Sequence, residues 1–145
     1  MTSENSRYFE HLVESLDTAV SVPFLQVEGD RWRPQANDCH NNVDFWVAHH
    51  ANCKAVRGWL FWPPNELGQY VFMAHSVIEQ GGSLADITPM DPNTHRDTLL
   101  FARHPGTEEQ FNAMKTVCSQ VFYPPMLDGI QESYSPEMLD DAFEQ

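Results

Sequence analysis

The sequence predicts an α+β domain in which helices pack on an antiparallel sheet. Apolar residues recur at helical spacing before residue 51 and again after residue 107, whereas the segment between them is rich in β-branched and aromatic residues. Short turns join the segments of this middle region, and such short connections join antiparallel strands. The order helix, helix, strands, helix is typical of the α+β class, with the second helix expected to pack on the sheet.

The 145 residues are expected to form a single domain, residues 1–145, with a core over about residues 5–122 and an acidic C-terminal tail over about residues 124–145. The chain carries 21 acidic residues against 8 Lys and Arg, which gives a net charge of −13. A surface of this sign repels nucleic-acid phosphates and anionic membranes, so neither is expected as a partner. A basic or neutral partner fits the charge better, and the sequence does not indicate an oligomeric state.

Three further features predict a cytoplasmic protein. No apolar run approaches the length of about 18 residues that a membrane-spanning helix needs. The N-terminus lacks a basic start followed by an apolar block, so no signal peptide is expected. The cysteines, Cys39, Cys53 and Cys118, are few and odd in number, which argues against a secreted domain held by disulfides.

Helices are predicted in three places. The first covers residues 3–20, because apolar residues lie on one face at 3.6 residues per turn, and Pro23 follows it. The second covers residues 39–51 and begins after Asp38 as its N-cap. The third follows a capping box at Thr107, and its expected buried face consists of Phe111, Met114, Cys118 and Val121.

Strands are predicted between the second and third helices, with one short strand earlier in the chain. The early strand covers residues 24–28 and ends at a Gly29-Asp30 turn. The later strands are predicted from their β-branched and aromatic content and from the turn residues that separate them. They cover residues 54–62, 69–78, 83–88 and 98–103.

Cys39 stands at the predicted start of the second helix, where a cysteine can be activated as a nucleophile. A thiol attacks as the thiolate, and the unpaired N–H groups and positive dipole end of a helix N-terminus stabilise that charge. A neighbouring imidazole can take the thiol proton and carry it to a leaving group, and a carboxylate can orient that imidazole. Two later residues, His75 and Asp86, are of the required types.

The turn between His75 and Asp86 decides whether the two side chains can meet. A four-residue loop over residues 79–82 would put His75 directly opposite Asp86. A two-residue Gly81-Gly82 turn would put His75 opposite Thr88, one diagonal step from Asp86 on the same face of the sheet. A three-residue turn would separate them onto opposite faces. Two of the three turns therefore predict contact.

These segments resemble the core of the transglutaminase-like branch of the papain-like cysteine enzymes. The resemblance runs over about residues 37–89, and the segments that carry it are Cys39, Val56-Arg57-Gly58-Trp59, His75-Ser76-Val77-Ile78-Glu79 and Asp86-Ile87-Thr88-Pro89. The sequence departs from the family pattern at Asn37, where many members have glycine, and at Ser76-Val77, which replaces Ala-Trp.

The resemblance implies a papain-like fold and a cofactor-free, thiol-dependent acyl transfer or hydrolysis at an amide or ester of a protein or small molecule. It implies that Cys39 is the nucleophile, His75 the base and Asp86 the orienting residue. Gln35 and the Cys39 backbone N–H are candidates for the oxyanion-hole donor. Trp59, on the strand neighbouring His75, is a candidate wall of the substrate site.

Two other classes of function remain open at this stage. A non-enzymatic protein could bind a basic or neutral partner through its acidic surface and the aromatic-rich segment over residues 59–70. A zinc protein could use His49, His50 and Cys53, with a further ligand from His75, His95 or His104. Cys39 and His40 could not share that zinc, because about ten residues of helix separate them from it by about 15 Å.

Overall fold

The computed structural model describes residues 2–94 and 98–125. Within these residues the chain forms three α-helices and a curled, five-stranded antiparallel sheet, which confirms the predicted α+β class. The elements in chain order are α1 (Ser3–Glu14), a 3-10 helix (Leu16–Thr18), α2 (Cys39–His49), β1 (Cys53–Trp62), β2 (Tyr70–Gln80), β3 (Ser83–Ala85), β4 (Leu100–Arg103), α3 (Glu108–Val117) and β5 (Gln120–Tyr123). The predicted acidic tail lies almost wholly outside the described residues.

Two short strands, β3 and β5, pair along the same edge of β2. The strand order is β3-β2-β1-β4, and β5 also pairs with β2. Because β1 covers one edge of β2 along nearly its whole length, β3 and β5 must both pair with the other edge, β5 with residues 70–73 and β3 with residues 78–80. In the described part of the chain, residues 75–77 of β2 have no strand partner on this edge. We call this short opening the edge gap.

The helices pack on one face of the sheet. Side chains of α1 and α3 surround Trp59 and Phe72, while α2 contributes Val43 to a cluster with Ile78. Burying each large apolar side chain of this kind contributes about 1.5–3 kcal/mol. The opposite face carries His75 and a smaller cluster of buried side chains, consisting of Val22, Leu60, Val77, Leu99 and Phe101. None of the helices in the described residues combines the length and apolarity that crossing a membrane requires.

The first helix is shorter than predicted. It ends at Glu14, and the Ser15 hydroxyl donates a hydrogen bond to the Leu12 carbonyl. A serine side chain that bonds a helical carbonyl in this way competes with the backbone hydrogen bonds of the helix, which favours the end of the helix at this position. Val20, predicted as its last residue, instead pairs with Phe101 in an isolated bridge, and the predicted strand over residues 24–28 is reduced to one bridge between Phe24 and Asp86.

The C-terminal part of the described chain also departs from the prediction. The third helix starts after Thr107 as expected, and the Thr107 hydroxyl accepts a hydrogen bond from the Gln110 N–H. The helix stops at Val117, however, and Val121 belongs to β5, which the sequence reading missed. Val121 is buried in β5 and was also expected to be buried in the predicted helix, so its apolar character did not discriminate helix from strand.

Candidate active site

The hairpin between β2 and β3 brings His75 and Asp86 into contact. Gln80 pairs with Ser83, so the turn is the two-residue Gly81-Gly82 turn, and both glycines have positive φ angles (61° and 82°). This register puts Asp86 one diagonal step from His75 on the same face. The Nε2 atom of His75 lies 2.7 Å from Oδ2 of Asp86.

A buried polar network holds Asp86 in place. Its Oδ1 atom accepts a hydrogen bond from the Thr88 N–H at 3.0 Å, and the Thr88 hydroxyl accepts one from Nδ2 of Asn42 at 3.0 Å. Asn42 lies on α2 and also bonds both backbone groups of Gln35. Asp86 and Asn42 are each only 2% exposed, so this network ties the start of α2 to the carboxylate that contacts His75.

Cys39 is the first residue of α2, as the sequence predicted. Asn37 has a φ angle of 63°, the left-handed conformation that glycine adopts freely and that asparagine tolerates better than most residues. This explains how asparagine can stand where glycine is expected. Asp38 is the N-cap residue, but its side chain makes no cap bond and instead accepts from Nδ2 of Asn41. The N–H groups of the first turn are therefore left for solvent or a ligand.

Cys39 begins a helix that packs on one face of the sheet, whereas His75 lies on the other face beside the edge gap, and both residues line one groove. The imidazoles of His75 and His40 both act on the Cys39 thiol and lower its pKa. Because Nε2 of His75 is engaged with Asp86, Nδ1 is the nitrogen left for the thiol. His75 thus lies between Asp86, which it contacts directly, and Cys39, whose pKa it lowers.

The electrostatics of these three residues favour a thiolate and an imidazolium. Burial by itself would raise the pKa of Cys39, but hydrogen bonds and charge from His40 and His75 outweigh it and lower the pKa to about 6. Burial would likewise lower the pKa of His75, but its hydrogen bonds with Asp86 and Cys39, and their charges, raise it to about 9. Between these two values the pair is ionised while the thiolate remains available as a nucleophile.

His40 is a site residue that sequence reasoning missed as a partner of Cys39. Its Nδ1 atom lies 2.6 Å from the hydroxyl of Ser76, a fully buried residue, and the same hydroxyl accepts a hydrogen bond from Nη1 of Arg57 at 2.9 Å. Ser76 points to the helix side of the sheet, opposite to its neighbour His75. The adjacent pair Cys39-His40 was the available signal, but only the packing of α2 on β2 brings Ser76 to it.

Cys39 and His75 open into a groove of about 810 Å³, which we call the Cys39 groove. The start of α2 forms one side. Leu60, Trp62 and Met73 lie on the same sheet face as His75 and line the floor. Lys115 and Asp91 are among the polar residues at its rim.

Two predicted substrate-contact residues do not line the Cys39 groove. Trp59 is fully buried on the helix face of the sheet, where its Nε1–H donates to the Tyr8 hydroxyl. Its neighbours Leu60 and Trp62 alternate to the groove side. The Gln35 side chain bonds the Arg33 carbonyl and lines a separate pocket of about 460 Å³. Gln35 thus contributes to the site through its backbone contacts with Asn42.

The histidines of the zinc hypothesis have other contacts. Nδ1 of His49 lies 2.8 Å from the Phe45 carbonyl, and the His49 ring stacks on the Phe45 ring. Nδ1 of His50 lies 2.9 Å from the Trp46 carbonyl, and the His50 ring stacks on the Trp46 ring. Cys53 is the first residue of β1 and is buried. Across residues 2–94 and 98–125, no three His, Cys, Asp or Glu side chains are grouped so that they could hold a metal ion, and His95 lies outside those residues.

Comparisons of this chain with protein-family models, with curated proteins and with solved structures found no match. The transglutaminase-like resemblance therefore stays a prediction.

Proposed function

We propose that this protein is a cysteine-dependent acyl-transfer or hydrolytic enzyme that acts on amides or esters. One observation carries the proposal: Cys39 and His75 line the same open groove, and His75 is held by the buried carboxylate of Asp86 at 2.7 Å. An ordinary buried cysteine needs neither a depressed pKa nor an imidazole that is itself held by a carboxylate.

The reaction would proceed through a thioester. The Cys39 thiolate forms a bond to the carbonyl carbon, and the carbonyl electron pair moves to oxygen. When the intermediate collapses, the bond from carbon to the leaving nitrogen or oxygen breaks, and the leaving group takes the proton from the His75 imidazolium. Water or an amine then attacks the thioester, gives a proton to His75 and releases the Cys39 thiolate.

The developing oxyanion would be stabilised at the N-terminus of α2. The backbone N–H of Cys39 belongs to the first helical turn, where no side-chain cap from Asp38 competes for the donors. Such donors stabilise negative charge on a tetrahedral intermediate. In this proposal the Cys39 N–H takes the oxyanion role, and the Gln35 side chain takes none.

The groove floor favours a substrate with an apolar group next to its carbonyl. Gly58 pairs with His75, Leu60 with Met73 and Trp62 with Val71. A strand rises about 3.3 Å per residue, so the apolar floor extends about 13 Å from His75 to Trp62. Trp62, rather than Trp59, would provide the aromatic wall.

The finer class that we propose is the transglutaminase-like branch of the papain-like enzymes. The order Cys, His, Asp along the chain supports it, as does a cysteine at the start of a helix that packs on an antiparallel sheet. Asn37 in the left-handed conformation supports it as well, because it fulfils the conformational role of the expected glycine.

The proposal is tested by measuring the iodoacetamide alkylation rate of each cysteine against pH, with mapping by mass spectrometry. In the wild type we expect Cys39 to react with a midpoint near pH 6, in line with its lowered pKa. In His75→Ala the midpoint should rise toward the ordinary thiol value of about 8.5. Cys118, whose pKa is raised by burial, is the internal control and should react slowly throughout.

Acyl-enzyme formation provides the second readout. Incubation with nitrophenyl esters of acetate and of hexanoate should add the acyl mass to Cys39, and the hexanoate ester should react at the lower concentration. Cys39→Ser should show no adduct at this position. A Cys39 that titrates as an ordinary thiol would instead support the acidic binding protein.

A further inference from the structure

We propose that Lys115 binds a carboxylate on the leaving group, so that the substrates are N-acyl amino acids with an apolar acyl chain and a free carboxylate. The inference rests on the proposed function, because it takes Cys39 as the nucleophile and the apolar floor as the acyl site. Among the described residues, Lys115 is the only Lys or Arg that lines the Cys39 groove. It is thus the side chain that can pair with an anionic group of a substrate.

The end of α3 lies beside the start of α2. The Phe111 ring packs against the His40 ring, with centroids 5.7 Å apart. Lys115 follows Phe111 by one helical turn and lies on the same side of α3. Beyond the helix, the Ser119 carbonyl accepts a hydrogen bond from the Ala74 N–H at 3.0 Å. These two contacts hold the end of α3, and with it Lys115, next to the nucleophile.

The Cys39 groove is lined from both faces of the sheet. Leu60 and Met73 are paired across β1 and β2 and lie on the face of His75, where they form the apolar floor. The helix α3, which carries Lys115, packs on the opposite face. A substrate that spans Cys39 therefore has one part on the floor and the other part near Lys115. Because the acyl chain occupies the floor, the leaving group faces Lys115.

The charge of Lys115 is not compensated by a neighbouring side chain. Lys115 is half-buried, and no carboxylate in residues 2–94 and 98–125 forms an ion pair with it. Arg57, by contrast, is paired with Asp44 at 2.6 Å and with Glu108 at 2.9 Å. The first turn of α2, which has no side-chain cap, adds N–H donors near the groove. A carboxylate on the leaving group would thus meet a cation that is still available.

Two acidic residues of the groove restrict where such a carboxylate can bind. Asp91 follows Met90, which packs with the apolar cluster on the floor side, so an anionic acyl chain would be repelled there. Oδ1 of Asp38 accepts a hydrogen bond from Nδ2 of Asn41 at 2.9 Å, and Asp38 forms no ion pair with Lys115. The charges therefore favour a neutral acyl chain on the floor and a carboxylate on the leaving group.

The reaction of an N-acyl amino acid balances without any proton from Lys115. The Cys39 thiolate forms a bond to the acyl carbon, the bond from carbon to nitrogen breaks, and the nitrogen takes the proton from the His75 imidazolium. The amino acid then leaves from its ion pair with Lys115. Water attacks the thioester, gives a proton to His75 and releases the fatty acid and the Cys39 thiolate. Lys115 thus selects the leaving group and takes no part in the bond changes.

The first test compares two alkylating reagents of similar size, anionic iodoacetate and neutral iodoacetamide, by their rates at Cys39. In Lys115→Gln we expect the ratio of the iodoacetate rate to the iodoacetamide rate to fall by about three- to tenfold, because the anion loses a nearby cation. Lys54→Gln is the matched control, since it removes the same charge from a separate pocket of about 270 Å³ and should leave the ratio unchanged. An unchanged ratio in Lys115→Gln, or an equal fall in both variants, would overturn the inference.

The second test measures the hydrolysis of N-hexanoylglycine and of its neutral analogue N-hexanoylglycinamide, with mass spectrometry of the released amine. The wild type should have the higher kcat/KM for hexanoylglycine. In Lys115→Gln this kcat/KM should fall by about tenfold, mainly through KM, because the ion pair is present in both the bound substrate and the transition state. The kcat/KM for hexanoylglycinamide should change little. Lys115→Arg retains a cation and should keep most of the preference.

The wild-type comparison of the two substrates needs no substitution, and circular dichroism and thermal unfolding check that each variant is folded. Suppose the wild type forms an acyl-enzyme from nitrophenyl hexanoate but hydrolyses both glycine compounds equally well, or neither of them. The substrate class is then wrong and the proposed function stands. If wild-type Cys39 titrates as an ordinary thiol and forms no acyl-enzyme, the proposed function fails, and this inference fails with it.

Discussion

Two partly or fully buried histidines, His75 and His104, show how the partner of an imidazole decides its charge. His75 contacts the carboxylate of Asp86, and its pKa is raised to about 9 despite its burial. His104 has Nε2 2.8 Å from the Thr107 carbonyl and Nδ1 2.6 Å from the Tyr8 hydroxyl, and burial lowers its pKa. One ring is therefore held as a cation and the other as a neutral group.

The network around His104 has its donors and acceptors matched without any charge. A carbonyl can only accept, so Nε2 of His104 carries the proton and Nδ1 accepts from Tyr8. The Tyr8 hydroxyl in turn accepts from Nε1–H of Trp59 at 2.8 Å, and burial raises the pKa of Tyr8 to about 12. This chain connects α1, β1 and the segment before α3, which indicates a structural role. The contrast separates residues that stabilise the fold from residues available for chemistry.

The largest expected effect comes from Asp86→Asn, which changes the partner of His75 from an acceptor to a donor. If the amide N–H₂ faces Nε2, that nitrogen must accept, so the proton moves to Nδ1 and His75 can no longer take a proton from Cys39. We expect the acylation rate to fall by about 10²–10⁴-fold, the usual contribution of general acid–base catalysis. The measurement is the rate of acyl-enzyme formation at pH 7. Full activity in a folded Asp86→Asn variant would remove Asp86 from the mechanism.

The matching change in the other network is Tyr8→Phe, which should affect stability and leave the thiol unchanged. It leaves the buried Trp59 N–H without its acceptor and His104 without its donor. We expect the free energy of unfolding to fall by about 1–3 kcal/mol, measured by urea denaturation. The control is Tyr70→Phe, a half-buried tyrosine in β2, which should cost less than about 0.5 kcal/mol. A shifted Cys39 alkylation profile in Tyr8→Phe would show that the two networks are coupled.

The smallest expected effect is on the pH dependence of stability. The folded pKa of His75 is raised, so its contribution is complete below pH 6.5 and is lost as pH rises through about 9. The folded pKa of Cys39 is lowered, so its contribution is complete above pH 9.0 and is lost as pH falls through about 6. Between these limits the folded pair holds one proton, on His75, and the unfolded pair also holds one, on Cys39. The pair therefore adds no slope in this window.

The proton gained by His75 on folding is balanced by the proton lost from Cys39, and Cys39→Ser removes the Cys39 contribution. Between pH 6.5 and 9, its free energy of unfolding should then fall relative to the wild type as pH rises, by up to about 2 kcal/mol. Urea denaturation of both proteins at several pH values measures this difference, in which His104 and the other groups cancel. If the free energies of unfolding of the two proteins changed with pH in parallel, His75 would not be charged in the folded protein.

The candidate site was predictable where local chemistry and strand parity determine it. The start of α2 follows from Asp38 and the apolar spacing, and the Gly81-Gly82 turn allows the positive φ angles that a two-residue hairpin requires. This turn then implies the diagonal contact of His75 with Asp86. The substrate wall could not be predicted in the same way. Alternation puts Trp59 and Trp62 on opposite faces of β1, but only the pairing of β1 with β2 shows which of them shares the face of His75.

The sequence by itself determined the α+β class, the cysteine at a helix start, and a histidine and an aspartate that a short turn can bring together. These features depend on residues close in the chain, where backbone conformation and side-chain period act directly. Only the tertiary structure decided that β3 and β5 share one edge of β2, that Cys39 and His75 line one groove, and that His40 meets Ser76. These contacts join elements far apart in the chain, and their register depends on the packing of all elements together.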